Sequence, residues 1–262
     1  MRIVVTADDF GYDDDSVGQT IAALEEGAVC SASIMAMMPA SAQAMAYARQ
    51  RTDLSFGVHL VFCTDTVERP ILPTEEISAL VAGNNRFLPS NRVRLLGLLN
   101  RLPSDQIARE MKAQIGYVRD HGVRIDYVDS HGHLHKLLPF QRALVEVLPQ
   151  FGRIRVRRAQ DVFLGRSPLR LMAYAHPFLN AAVRRSGFST TDCFFMPDPS
   201  CSATWPSDLL RWVVGRKGTL EVGVHPGHNE NWRREESTQI RQFARLSRAA
   251  GHELIGWSKI PA

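Results

Sequence analysis

The strongest constraint on this chain is a rhythm. Short runs rich in β-branched and apolar residues, at 2–5, 30–37, 54–60, 124–129, 153–157, 190–195, 219–224 and 253–257, read as strands. Between them lie stretches with helical spacing. Val17, Ile21, Ala22 and Leu24 fall on one helix face behind Asp13, Asp14 and Asp15, where acids suit the positive end of the helix dipole. Further helices are expected over about 41–51, 104–120, 139–148, 205–214 and 237–250. Strands separated by helices run parallel in one sheet. Seven or eight such units in 262 residues predict an α/β fold, a TIM-barrel-like (β/α) barrel that is incomplete or distorted, with a doubly wound open sheet as the alternative. Either architecture puts its site at the C-terminal ends of the strands.

One domain over 1–262 is expected, with an irregular insert at about 62–103, where Pro70, Pro73, Gly83, Asn84, Asn85 and Pro89 break the rhythm. A long excursion after a strand's C-terminal end suits substrate binding. Cys30, Cys63, Cys193 and Cys201 are scattered and form no CxxC pair, which fits a reducing compartment. With a strand at the very start and no apolar run near membrane-spanning length, a cytoplasmic location is expected. The net charge is +4, but the arginines are dispersed and form no basic run, which argues against nucleic acid.

The strand-end rule can be tested within the sequence. Asp8 and Asp9 follow the first strand, His59 ends the third, His131 follows the strand through Asp129, Arg155 sits on the next, and His225 ends a late strand. Asp8 and Asp9 read either as helix N-cap residues or as a pair split between a metal ligand and a base. One carboxylate with two imidazoles is a facial ligand set that leaves positions open. It suits hydrolysis at a carbonyl, with a second carboxylate as base and a histidine as acid.

At these residues the chain resembles the YdjC-like (ChbG-type) carbohydrate deacetylases. The resemblance rests on Thr6-Ala7-Asp8-Asp9-Phe10-Gly11, Ser31-Ala32-Ser33, Gly57-Val58-His59-Leu60, Asp129-Ser130-His131-Gly132-His133-Leu134-His135, Arg155, and Val224-His225-Pro226-Gly227. Arg69-Pro70-Ile71-Leu72-Pro73 is weakly similar to a branch of the family linked to hopanoid biosynthesis. The resemblance implies metal-dependent removal of N-acetyl groups from amino sugars on a TIM-barrel-like fold. It implies Asp9, His59 and His131 as ligands of one divalent ion; the resemblance includes Mg2+, while two histidines and one aspartate suit Zn2+. It implies Asp8 as base, His225 as acid, Arg155 and His135 as substrate contacts, and a homodimer, while His133 reads as structural. Arg153, Arg157 and Arg158 read as solvated.

Two other functions stay open, a metal-dependent phosphoesterase or related hydrolase and a non-catalytic sugar-binding protein. Residues 161–186 read as an amphipathic helix that buries one face in the barrel, or that lies peripherally on an anionic bilayer.

Overall fold

The computed structural model describes residues 1–164, 180, 183, 185–197 and 204–261. Its centre is β1 (Arg2–Phe10). Around it stand β2 (Ser31–Ile34), β3 (Ser55–Leu60), β6 (Ile125–Ser130), β7 (Arg155–Val156), β8 (Cys193–Phe195) and β9 (Thr219–Val224). The strand order is β7-β6-β3-β2-β1-β9-β8, and every pairing is parallel. A short β10 (Glu253–Leu254) pairs with the start of β1. The sheet curls until its edges meet. The Val156 N–H donates to the Ser189 carbonyl at 3.0 Å, and those of Asp161 and Val162 donate to the Phe194 carbonyl at 3.2 and 3.1 Å. An open doubly wound sheet would leave these edges far apart, so the fold is an incomplete (β/α) barrel.

The helices among the described residues are α1 (Asp14–Glu25), α2 (Ser41–Ala48), α3 (Ser90–Leu98), α4 (Ser104–Asp120), α5 (Leu138–Val147), α6 (Trp205–Val213) and α7 (Asn231–Ala249). Asp13 caps α1 by accepting the Ser16 N–H at 2.7 Å, and the Ser16 hydroxyl accepts the Asp13 N–H in return. The insert contains a small antiparallel hairpin, β4 (Val81–Ala82) and β5 (Arg86–Phe87), followed by α3. Buried Glu110 of α4 ties the insert down by accepting the N–H groups of Ile71 and Leu72 at 2.9 and 3.0 Å. None of the described helices is long and apolar enough to cross a membrane. Most of the 161–186 segment, and with it the predicted amphipathic helix and its bilayer contact, lies outside the described residues.

Alternation along the strands sorts side chains into two cores. Ile3, Val5 and Ala7 of β1 face the helices in the main core. Val4 faces inward and joins Tyr127, Ile255, Trp257 and Ile260 in a separate cluster that forms the barrel floor. The sequence reading ends the chain on a strand to 257. The structure stops β10 at Leu254 and turns Trp257–Lys259 into a 3-10 helix. Trp257 stacks on Tyr127, ring centres 4.9 Å apart, and donates its indole N–H to Thr6 Oγ1 at 3.2 Å. A Cβ on Gly57 would stand 2.6 Å from the Tyr127 ring, so only glycine admits this packing.

The strand at 153–157 is also shorter than expected. Of its arginines, Arg153 is exposed as expected, whereas Arg157 and Arg158 are buried. The physical reason is that protein groups take the place of water: Arg157 meets the carboxylates of Asp8, Asp129 and Glu221, and Arg158 meets the Asp161 carboxylate and the Thr191 and Asp192 carbonyls. The sequence of one strand does not show those partners.

Candidate active site

The site begins with an irregularity in β1. The pairing with β2 shifts register between Ala7 and Phe10, and Asp9 takes a left-handed backbone, φ 58°. In a regular strand Asp8 and Asp9 would face opposite sides of the sheet. The bulge re-aims the second of them, so both carboxylates enter the barrel, and both are buried. Aspartate tolerates this conformation better than most residues.

Asp8 joins an interior charged layer. Arg157 grips it bidentately, Nη1 to Oδ2 at 2.6 Å and Nη2 to Oδ1 at 2.7 Å. The same guanidinium reaches Asp129 Oδ2 at 2.6 Å and Glu221 Oε1 at 2.8 Å, and lies over the Phe194 ring. Ser33 donates its hydroxyl to Asp129 Oδ1. Burial alone would raise the Asp129 pKa, but Arg157 and His59 hold it well below the usual carboxylate range. Glu221 goes the other way: burial, reinforced by repulsion from Asp129 and Asp8, outweighs Arg157 and pushes it up to about 7.

Asp9 belongs to the layer above, at the mouth. Its Oδ1 lies 3.3 Å from His131 Nδ1 and 3.4 Å from His59 Nε2, while Oδ2 accepts from Arg233 Nη2 at 2.7 Å. Burial opposes its ionisation, but His131, His225 and His59 outweigh that and hold its pKa well below normal. Each imidazole turns its other nitrogen to a second carboxylate. His59 Nδ1 is 2.9 Å from Asp129 Oδ1, and His131 Nε2 is 3.4 Å from Asp65 Oδ2. An Nδ1–H donated to Asp129 leaves the His59 Nε2 lone pair facing Asp9. Burial would lower the His131 pKa, but Asp65 and Asp9 carry it well above the ordinary histidine value.

Three groups of donors come within 4.8 Å of one another among the described residues: Asp9, His59 and His131; Cys63, Asp65 and His131; and Asp8, His59 and Asp129. The third already holds the Arg157 cation against both of its carboxylates. In the second, burial raises the Cys63 thiol pKa. The first offers an ionised carboxylate and two imidazoles whose outer nitrogens are held by other carboxylates. It is the set that fits a divalent ion. Beside it opens a cleft of about 300 Å³, lined among others by Asp9, Tyr12, Asp65, His131, Trp232 and Arg233.

His225 stands directly after β9. Its N–H donates to Glu236 Oε1 at 3.0 Å, its Nδ1 lies 3.6 Å from the same oxygen, and its ring meets Trp232 edge-on. Burial would lower its pKa, but Glu236 and the two aspartates raise it.

A family profile described as YdjC-like protein matches residues 2–254, nearly the whole chain. The chain belongs to the YdjC-like family. Curated relatives carry the name carbohydrate deacetylase. One from Listeria monocytogenes is 31% identical over 241 residues, 92% of this chain and 87% of that one. One from Geobacillus stearothermophilus is 32% identical, covering 86% and 79%. A Brevibacillus brevis relative is 32% identical over 149 residues, and the match spans little more than half of either protein, 56%. Among solved structures, an Enterococcus faecalis protein described as a cellobiose-phosphate cleavage protein superposes with TM-score 0.79 at 23% identity, covering 98% of this chain and 97% of that one. The catalytic domain of a peptidoglycan N-acetylglucosamine deacetylase from Eubacterium rectale gives TM-score 0.52 at 10% identity, covering 97% and 87%. Both likenesses are likenesses of fold.

In this YdjC-like protein, Asp8, Asp9, His59, His131 and His225 gather at the C-terminal ends of β1, β3, β6 and β9. Each of the two expected substrate contacts meets a protein partner. Arg155 is on the floor, its Nε donating to the Ile260 carbonyl at 2.8 Å. His135 is buried, its Nδ1 is 2.8 Å from Ser130 Oγ, and burial lowers its pKa to about 3, so the ring is neutral. His133 is held in a left-handed turn, φ 56°, with Nε2 3.3 Å from Met196 Sδ. Asp65 and Arg233 carry no role in the sequence reading, which takes Arg157 as solvated and Asp129 only as the start of the Asp-Ser-His run. Period-two spacing from Arg155 puts Arg157 on the same inward face, and Asp129 opens the Asp-Ser-His run. No local signal marks Arg233.

Proposed function

We propose that this YdjC-like protein is a metal-dependent hydrolase that removes the N-acetyl group from an acetylated amino sugar, or from an oligosaccharide or glycolipid carrying one, and releases acetate. The observation that carries this reading is the Asp9, His59 and His131 donor set, with a second carboxylate, Asp8, as its sequence neighbour and an open cleft beside it. The names of the curated relatives supply the substrate class. One divalent ion, Mg2+ or Zn2+, held by Asp9, His59 and His131 supplies Lewis acidity toward the amide carbonyl.

The chain's own groups handle the protons. Asp8 takes a proton from the water whose oxygen attacks the carbonyl carbon. Arg157 fixes the orientation of Asp8, and each carboxylate oxygen keeps a second lone pair for this task. His225 gives its proton to the amide nitrogen as the C–N bond breaks. Glu236 raises the His225 pKa, which keeps that proton in place near neutral pH. The products are acetate and the free amine.

The test is acetate release from N-acetylglucosamine oligomers, with and without a chelator. Chelation should abolish turnover, and an added divalent ion should restore it. Full turnover in a verified metal-free preparation, or no release from any acetylated sugar, would overturn the reading. Elemental analysis of the purified protein identifies the ion.

A further inference from the structure

Arg233 is absent from the sequence reading, yet its guanidinium stands against Asp9. Its Nη2 donates to Asp9 Oδ2 at 2.7 Å, and its Nε donates to Glu230 Oε2 at 2.9 Å. The head group lies over Trp232, 4.6 Å from the ring centre, and 5.9 Å from that of Tyr12. The side chain is only 12% exposed. Asp9 therefore has its two oxygens divided between two tasks, Oδ2 on Arg233 and Oδ1 toward His59 and His131.

How Arg233 gets there depends on Gly227. A Cβ on Gly227 would lie 2.9 Å from Arg233 Cδ and 3.3 Å from Arg233 Cβ. Gly227 does not have a positive φ, so the backbone itself accepts alanine. What excludes the methyl group is the stem of Arg233. The loop around Gly227 is fixed independently: the Ser237 hydroxyl bridges its N–H and carbonyl at 3.1 Å each, and Asp15 Oδ2 accepts the N–H groups of His228 and Asn229 at 2.6 and 2.9 Å. The loop cannot swing away to make room.

We propose that Arg233 is a positioning residue for the metal ligand Asp9, and that Gly227 is glycine so that Arg233 can reach it. The inference rests on the metal-site reading above. Arg233 locks the carboxylate so that Oδ1 alone faces the two imidazoles. Its positive charge also repels a cation, but the guanidinium and the ion use different oxygens, and fixed orientation outweighs the repulsion. Carboxylate orientation by an outer partner is commonly worth ~10–100-fold in metal affinity.

The experiment is isothermal titration of the metal-free protein with Zn2+ alone, which needs no substrate and is independent of whether the protein deacetylates anything. Arg233→Met should weaken Zn2+ binding by ~10-fold or more, and Arg233→Lys should recover part of the loss. Gly227→Ala should also weaken binding, although it touches no ligand. The deciding measurement is the double variant: in the Arg233→Met background, Gly227→Ala should have no further effect on Zn2+ affinity. Circular dichroism of each variant reports folding. If Arg233→Met binds Zn2+ as tightly as the parent, or more tightly, the positioning role is wrong. If the two substitutions weaken binding independently, the glycine does not act through Arg233. Should Asp9→Asn leave Zn2+ affinity unchanged, the metal-site reading itself fails, a result separable from the others.

Discussion

Asp8 and Asp9 are neighbours in sequence and each meets an arginine, yet the two ion pairs stand in different regions of the barrel. Arg157 is fully buried in the interior and serves Asp8, Asp129 and Glu221 together. Arg233 lies at the mouth, lines the cleft, and holds only one oxygen of Asp9. Buried away from bulk solvent, Arg157 and the carboxylates around it are paired with one another. At the mouth, Asp9 Oδ1 faces the two imidazoles while Arg233 takes the other oxygen. Two side chains of one type therefore do different work. The interior cation satisfies three carboxylates at once, and the mouth cation takes one oxygen of Asp9 and leaves the other to the imidazoles.

The sharpest way to break this comparison is to remove the interior cation. Arg157→Met would leave buried carboxylates without their counter-charge, at a cost of about 3–5 kcal/mol. Urea denaturation should show a protein that is largely unfolded or has lost most of its stability. Near-normal stability would mean that the interior layer is not held by Arg157.

The next test sets the two aspartates against each other. Asp9→Asn should lose the metal, and activity with it, while the fold persists. Asp8→Asn should keep the metal, and its kcat should fall by ~10²–10⁴, the usual contribution of a positioned base. Because Asp8 also serves Arg157, Asp8→Asn should be the less stable of the two. Metal titration, steady-state kinetics and thermal melts on both variants check this. A metal-free Asp8→Asn beside a metal-loaded Asp9→Asn reverses the assignment.

A smaller effect is expected on the barrel floor, which has neither charge layer. Gly57→Ala would drive a methyl group into the Tyr127 ring that stacks on Trp257. Overpacking of this kind costs about 1–3 kcal/mol. It should lower the denaturation midpoint and leave metal affinity as it was. A change in metal affinity would show that the floor and the mouth are coupled.

The smallest effect concerns pH. Burial lowers the His135 pKa to about 3, below its ordinary value of 6.5. As pH falls through 6.5, the unfolded imidazole takes a proton that the folded one refuses. The stability contributed by the neutral ring is thus present above 6.5 and is lost as pH falls toward 3. Replacing the ring by His135→Gln should flatten the stability profile between about pH 6.5 and 5 by up to ~1.4 kcal/mol per pH unit. Identical slopes in parent and variant would place His135 in contact with water.

Much of this protein could be read without coordinates. Alternating apolar periods determined the α/β class and the parallel strands, because each period dictates which face of an element can be buried. Asp9, His59, His131 and His225 could be placed at strand ends because a parallel sheet brings all those ends to one edge. What stayed hidden depends on contacts between residues far apart in the chain. Arg157 and Arg158 looked solvated, since their carboxylate and carbonyl partners come from other strands. The final strand gave way to a 3-10 plug, because Trp257 finds its packing on Tyr127 across the barrel. The bulge that turns Asp9 inward is set by register against β2, and Arg233 reaches Asp9 from a helix 224 positions along the chain. Local sequence carries periodicity and therefore determines which faces are buried. Which charge meets which inside the barrel depends on closure, and only the tertiary structure decides that.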